Sequence, residues 1–459
     1  MKKTVLGFMV IIFFTFGCAH DQKLYYGADT MLPGTERNMK TSGFWIDKLS
    51  DPDQVIHSIN KIAELNMQIS SDESLCVNDI LAMKSQISGD FVLTKILEKY
   101  EYLLTKKFYF KNCNRVSKNY MKQVKERMNT KPMPEMMTIE FGFVTNYTSI
   151  KSLPVREIFT IEQGDIQFDK LQFSALDIGT PLAVLHSTID EEWLYVISPM
   201  IDGWVEAKNV GRCNRNELKN YFDYGPFAVV TSAKCEIHNN EKLSDYYDYA
   251  RMGVKFPVTT FDNTNVVQVQ IPVRNKYGYM IMKTAFVCKD DVNIGYLPYT
   301  QRNIIKQAFK LLNAPYGWGG MYGEQDCSKF ICEIFSTVGI NLPRNSYWQS
   351  KTGVLAGEFL KTAIDEEKLE VISENGIPGA SVFYLPGHIM LFIGNHNDTP
   401  YVIHSVWAYK EKTTSGEIIR MINRVAVSNL LFGEGTKKGT WLNRIIKLCN
   451  LVYEQRIEE

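Results

Sequence analysis

The sequence predicts an α+β protein of several domains, with an all-β middle and its reactive chemistry towards the C-terminal end. Three observations carry that prediction. The chain has 459 residues, a length at which one core gives way to about three domains. Its hydrophobic period changes along the way, from helical spacing to short strands and then to a mixture of both. A glycine-rich loop from Pro315 to Gly323 runs into Asp326-Cys327-Ser328 and a helical pattern, with Ile331, Ile334, Phe335 and Val338 on one face.

Hydrophobic residues make up 45% of the chain and charged residues 22%, the balance of an ordinary globular protein. Lys plus Arg and Asp plus Glu are equal at 51 each, and long basic runs are lacking, so nucleic acid is not an expected partner. Lys2 and Lys3 precede an apolar run from Val5 to Phe16 that ends in Gly17-Cys18. A basic start, an apolar run too short for the ~20 residues of a bilayer span, and a small residue before the cut predict a secretory signal over residues 1–18. Gly17-Cys18 resembles the lipobox of bacterial lipoproteins. That resemblance implies acylation at Cys18 and an exported protein, lipid-anchored in the cell envelope and facing the periplasm. Nine cysteines are scattered without a Cys-x-x-Cys pair, and no specific disulfide is predicted.

Residues 21–135 are expected to form a helical domain. An extended tether from Asp21 to about Gly43 leads into a helix from Ser50 with Val55, Ile56, Ile59, Ile62 and Ala63 as its stripe. Further helices are expected at Asp72 to Ile87, Phe91 to Lys106 and Ser117 to Arg127. His57 is expected at a surface or interface. Two close prolines, Pro132 and Pro134, mark Asn129 to Glu135 as a linker.

Strands follow at Pro181 to His186, Trp193 to Ile197 and Gly203 to Val205. Phe141-Gly-Phe-Val-Thr is echoed by Phe227-Ala-Val-Val-Thr, which predicts two small β-barrels over 139–212 and 226–297. Asp190, Trp193 and Gly203-Trp204-Val205 resemble the signature of bacterial SH3-like domains. The last domain, 298–435, begins with a helix from Gln301 to Leu312 capped by Thr300. After the cysteine helix a looser region runs to Glu374, then strands at Val382 to Leu385, Gly387 to Gly394, Tyr401 to Trp407 and Asn423 to Leu431. The C-terminal extension, 436–459, is expected to be partly mobile.

Cys327 lies in the first turn of its helix, where Asp326 is a good cap and Gly339 a good stop. Unpaired N–H groups and the helix dipole at such a place can lower a thiol pKa from about 8.5 into the ~3.5–7.5 range of reactive cysteines. A thiolate nucleophile needs a base, and the base needs a group to orient it. His388 and His404 sit within apolar strands after the cysteine, so His388 is assigned as general base and acid and His404 as its orienting partner. His396 lies in a polar turn, and His186 and His238 fall in the β units; none of these receives a role. Cys, His and His are zinc ligands too, but no acidic or second thiol ligand stands at motif spacing, so no metal and no cofactor is expected. Cys332, about 140° around the helix from Cys327, is expected in the core.

The run Pro-Tyr-x-Trp-Gly-Gly…Asp-Cys-Ser…Gly-Ile-x-Leu-Pro-Arg-x-Ser-x-x-Gln, followed by Gly387-His388 and Ile403-His404, resembles the NlpC/p60 cell-wall peptidases. The resemblance implies a papain-like cysteine peptidase domain, a helix packed on an antiparallel sheet, behind two SH3-like barrels and the helical domain. It implies a monomer that cleaves peptidoglycan stem peptides between γ-D-glutamate and an L-diamino acid such as diaminopimelate, through a thiol acyl-enzyme. Cys327, His388 and His404 then match the triad. Tyr316, Asp326, Ser328 and Ser346 match positions lining the pocket for the peptide's amino end, and Tyr316 with the Cys327 N–H faces the oxyanion. Gly319 and Gly320 leave room for a backbone to pass. Two positions depart from the pattern. Lys329 stands where glycine usually follows Asp-Cys-Ser, predicting a cation at the rim, and Pro378-Gly379-Ala380 lacks the usual acid. Two other readings remain: an amidase or acyltransferase using the same triad on another envelope amide, and a non-catalytic wall-binding scaffold.

Overall fold

Three serines set the beginning of the chain. Ser58, Ser88 and Ser117 each accept the backbone N–H three residues on, and so start the helices Ile59–Ser71, Gly89–Leu104 and Lys118–Arg127. The computed structural model describes residues 25–131, 133–260, 265–360 and 362–452. The export segment with Cys18 lies outside these described residues.

Two expected helices change. The first begins at Ile59 rather than near Ser50, because Val55–His57 instead forms a strand against Tyr299–Thr300. No helix spans 72–87. Asp72 accepts from Ser74 N, Asp79 accepts from Leu81 N and Ala82 N, and Cys76 turns left-handed at φ 55°. Short acidic side chains bonding their own backbone compete with helix there and win.

The N-terminal helices share no core of their own. Trp45, Ile62, Leu65 and Ile69 pack with Ile304, Phe330 and Phe335 in the last domain. Val92, Ile96, Tyr100 and Met121 pack with Phe141, Phe159 and Trp204 of the first β unit. The segment expected as one helical domain is therefore split between two neighbours.

The middle of the chain folds into two seven-stranded sheets. The first runs, in sheet order, Val210–Cys213, Glu140–Val144, Pro181–Ser187, Trp193–Ile197, Asp202–Glu206, Thr148–Lys151 and Gln172–Leu176. The second runs Tyr246–Arg251, Lys234–His238, Met280–Cys288, Val266–Arg274, Lys255–Thr260, Phe227–Val230 and Val292–Ile294. The echoed segments fall on Glu140–Val144 and Phe227–Val230, the strand that opens each sheet.

The third sheet carries His388 and His404. Its order is Tyr25–Gly27, Gly416–Asn429, Thr399–Thr413, His388–His396, Ser381–Leu385, Lys447–Asn450 and Val354–Glu358. All neighbours are antiparallel except the first pair. The helix Cys327–Ser336 packs on one face through Phe330, Ile331 and Ile334, against Ile389, Leu391 and Ile403. Two expectations are corrected here. The region before Glu374 is ordered as Val354–Glu358 and the helix Asp365–Asn375. The C-terminal segment is built into the sheet as far as the described residues reach: Lys447–Asn450 is an interior strand, paired with Ser381–Leu385 on one side and Val354–Glu358 on the other. Buried Leu448, Cys449 and Leu451 hold it there.

Candidate active site

Asp326 caps the cysteine helix by accepting from Lys329 N at 2.9 Å. Cys327, the first helical residue, is 8% exposed. Its sulfur accepts from the backbone N–H groups of Ile389 and Ser328. Ile389 follows His388, so the thiol meets the histidine strand at its beginning.

Sheet register brings the two histidines together. Leu391 pairs with Ile403, which sets Met390 across from His404 and His388 one diagonal step away on the same face. His388 Nε2 and His404 Nδ1 are 2.7 Å apart, and the second nitrogen of His404, Nε2, meets Ser428 Oγ at 3.2 Å. His388 Nδ1 is thereby the ring nitrogen that His404 leaves free. For it to accept a proton, Nε2 must carry one and donate to His404 Nδ1, and His404 must donate to Ser428. His404 is wholly buried, and Trp441 lies over the pair with its ring 4.8 Å from His404 and 6.0 Å from His388.

Burial governs the protonation of these groups. It pushes the Cys327 thiol up to about 12, with the Asp326 carboxylate as second cause and the two N–H groups and Arg344 opposing. It pushes His388 down to about 3, helped by the Arg444 cation and resisted by Asp326. His404 is held well below the ordinary imidazole range by burial and by His388. Burial thus opposes the lowering of the thiol pKa expected from the helix N-terminus. A dry pocket and the carboxylate next door both favour the protonated thiol. Both shifts favour a neutral thiol–imidazole pair.

Asp326 is occupied by more than its cap. Arg344 donates Nη1 to Oδ1 at 3.1 Å and Nη2 to Oδ2 at 2.8 Å, Ser328 Oγ donates to Oδ1 at 3.1 Å, and Gly319 N donates to Oδ2 at 3.0 Å. Burial alone would raise this carboxyl; Arg344, the Lys329 N–H and Ser328 hold it below the usual carboxylate range. With five donors on two oxygens, Asp326 has little capacity left for a peptide ammonium. Arg344 also donates to Ser328 Oγ at 2.9 Å and, through Nε, to Ser174 Oγ of the first β unit at 2.7 Å. Tyr316 stands close enough that charge on Cys327 and Asp326, behind burial, drives its phenol pKa up. Ser346 opens a short helix capped by Asn345, two residues after Arg344.

Two further expectations change. Lys329 is not a cation at the rim: it is 6% exposed and its Nζ lies 3.7 Å from Asp177 of the first β unit. Gly319 and Gly320 adopt φ 57° and 82°, and a Cβ on either would come within 2.7 Å of Gln172 or Ala175. The backbone they admit is that strand of the first β unit, tied down by Gln172 Nε2 to Gly319 O at 3.0 Å and Tyr147 Oη to Gly320 O at 2.6 Å. Arg344, Ser428, Trp441 and Arg444 were not singled out from the sequence. Only Arg344 left a signal, the Pro-Arg inside the motif. Among the described residues, no group of three or more His, Cys, Asp or Glu is placed to hold a metal ion.

A model described as the NlpC/P60 family matches residues 313–412, the span holding the cysteine helix and both histidines. The chain carries an NlpC/P60 domain. Residues 158–206 match an SH3 domain of SH3b1 type, which precedes the NlpC/P60 domain in the chain. A γ-D-glutamyl-L-lysine dipeptidyl-peptidase of Bacillus subtilis (strain 168) is 31% identical over 109 residues, which is 21% of this chain and 37% of that protein. The match thus spans little more than a third of the curated relative. An NlpC/P60 endopeptidase from Photobacterium damselae subsp. piscicida superimposes with a TM-score of 0.73 at 21% identity, covering 89% of this chain and 96% of that one. The NlpC/P60 domain thus has the papain-like fold, a helix on an antiparallel sheet, in a mixed α/β multidomain chain.

Proposed function

We propose that the chain hydrolyses an amide of peptidoglycan stem peptides, the bond between γ-D-glutamate and an L-diamino acid, through an acyl-enzyme on Cys327. The observation that carries this reading is the sulfur at the Ile389 N–H beside a His388–His404 pair 2.7 Å apart. The name of the Bacillus subtilis relative supports the bond.

His388 Nδ1 takes the thiol proton as sulfur attacks the carbonyl carbon. The imidazolium then gives that proton to the leaving amine as the C–N bond breaks. Water, deprotonated by the same nitrogen, cleaves the thioester and restores the thiol. His404 holds the ring in the accepting tautomer. The Cys327 N–H and the Tyr316 hydroxyl face the developing oxyanion, where one donor is worth about 3 kcal/mol of barrier. Ser328 and Ser346 line the amino-end pocket, with Asp326 acting mainly as the buried post around which Arg344 and Ser328 are arranged. Export, acylation at Cys18, a periplasmic envelope location and action as a monomer complete the proposal.

Incubation with L-Ala-γ-D-Glu-diaminopimelate and with its lysine counterpart should release the L-Ala-γ-D-Glu dipeptide, read by mass spectrometry. Cys327→Ala should abolish release at unchanged circular dichroism. Intact peptide after long incubation with the thiol reduced overturns the reading, and cleavage at a different amide moves the enzyme to the amidase class.

A further inference from the structure

The NlpC/P60 match ends at residue 412, yet the chain returns to the site after it. Thr440 and Asn443 cap each other around the short helix Trp441–Arg444, and Lys368 Nζ donates to the carbonyls of Leu442, Asn443 and Ile445. This turn is therefore rigid. Its first residue, Trp441, packs over His404 and His388. Its last, Arg444, is three residues on and so projects from the same side. Two residues later Ile446 N donates to Tyr384 O, next to Leu385, which pairs with His388. Arg444 is thus tethered on both flanks to the surroundings of His388. Its cation acts on that imidazole more strongly than Asp326 does.

Arg444 is half-buried, and among the described residues no carboxylate or hydrogen-bond acceptor pairs with it. Half-burying an always-charged guanidinium without an acceptor is unfavourable. Beside a site whose own carboxylate, Asp326, is already filled, an unpaired fork fits an anion arriving from outside.

We infer that Arg444 is a carboxylate-recognition residue beside His388, selecting amides whose acyl residue bears a free carboxylate next to the scissile bond. For its substrate the inference rests on the proposed function: a glutamate linked through its γ-carbonyl keeps its α-carboxylate free. Binding that carboxylate neutralises the cation opposing protonation of His388, so the correct substrate also makes the base stronger. A substrate lacking the charge leaves Arg444 unpaired and the imidazolium opposed.

Two measurements on the full chain test this. The first is the ratio of kcat/KM for L-Ala-γ-D-Glu-diaminopimelate to that for the same peptide with the glutamyl α-carboxylate as carboxamide. The ratio should exceed about ten in the wild type, fall several-fold in Arg444→Gln and recover in part in Arg444→Lys. The second needs no turnover. Cys327 alkylation by iodoacetate relative to iodoacetamide, at one fixed pH, should fall several-fold in Arg444→Gln and recover in Arg444→Lys. An alkylation ratio unchanged in Arg444→Gln overturns the inference, as does a wild type that cuts acid and carboxamide peptides equally. If neither peptide is cut but the alkylation ratio falls, the anion site stands and the proposed function fails.

Discussion

Cys327 shows how a place on a helix and its burial pull one thiol in opposite directions. A helix N-terminus supplies N–H groups, and the sulfur does accept from Ser328 N–H. What the position along a helix does not convey is that the same atom is buried beside Asp326. The thiol is consequently raised to about 12 and His388 lowered to about 3. A thiol held up in this way is protonated throughout the neutral range, and an imidazole held down stays unprotonated to low pH. The iodoacetamide reaction of the free enzyme should therefore climb with pH beyond pH 9, without the acid-side plateau of a pre-formed thiolate–imidazolium pair. The acid limb of kcat/KM should lie below the ordinary histidine value of about 6.5. Stability follows with a fixed sign. As pH falls below about 6.5 the unfolded chain binds protons that His388 and His404 refuse, so the folded state loses stability on the acid side. An alkylation rate constant across pH 5 to 8 would contradict the neutral pair.

At the scale of elements, the histidine strands were legible and the last strand was not. The strands His388–His396 and Thr399–Thr413 hold the apolar runs Ile389–Ile393 and Tyr401–Ile403 with a polar turn between them, and Asn397 and Asp398 take φ 49° and 57° there. Lys447–Asn450 is four residues long, beyond a loop holding Gly433, Gly435 and Gly439. Its strand character comes from the neighbours it meets. Because it is an interior strand, a chain ending at residue 435 should lose more than its tail. Val354–Glu358 would have no partner, and Trp441 would leave the histidines. We expect this truncation to give insoluble or largely unfolded protein, read by soluble yield and circular dichroism. A folded, active truncation would show the strand to be dispensable. The expected helix over 72–87 failed for a related reason: its apolar spacing is helical, but Asp72 and Asp79 fold the backbone onto their own side chains.

Across the whole molecule, the cysteine helix is held from behind by both β units. Lys329 and Glu333, one turn apart on that helix, face Asp177 of the first unit and Arg251 of the second. Arg251 N donates to Asp177 Oδ1 at 3.3 Å, which links the two units to each other. The Arg251 guanidinium, 1% exposed, also donates to Glu324 O at 2.6 Å and to Gln325 Oε1 at 3.1 Å, just before Asp326 and Cys327. Burial lifts the Glu333 carboxyl to about 7 even with Arg251 and Lys329 opposing. Removing one member of such a buried pair strands the other, at a cost of about 3–5 kcal/mol. Arg251→Met should lower stability by about 3 kcal/mol in denaturant titration and reduce kcat through the loosened loop before Cys327. A change below about 1 kcal/mol would show the units to be independent of the helix.

By itself the sequence determined what depends on neighbours along the chain: the Asp326 cap, the phase of the cysteine helix, the apolar strands, and the order in which cysteine and two histidines recur. These are properties of spacing and local hydrogen bonding. The tertiary structure alone decided where each charge ends up. Lys329 faces inward, Asp326 is filled by Arg344, and Arg344 reaches Ser174 across 170 residues of chain. Burial and the identity of a partner arise from contacts between distant segments, and they set whether Cys327 carries its proton.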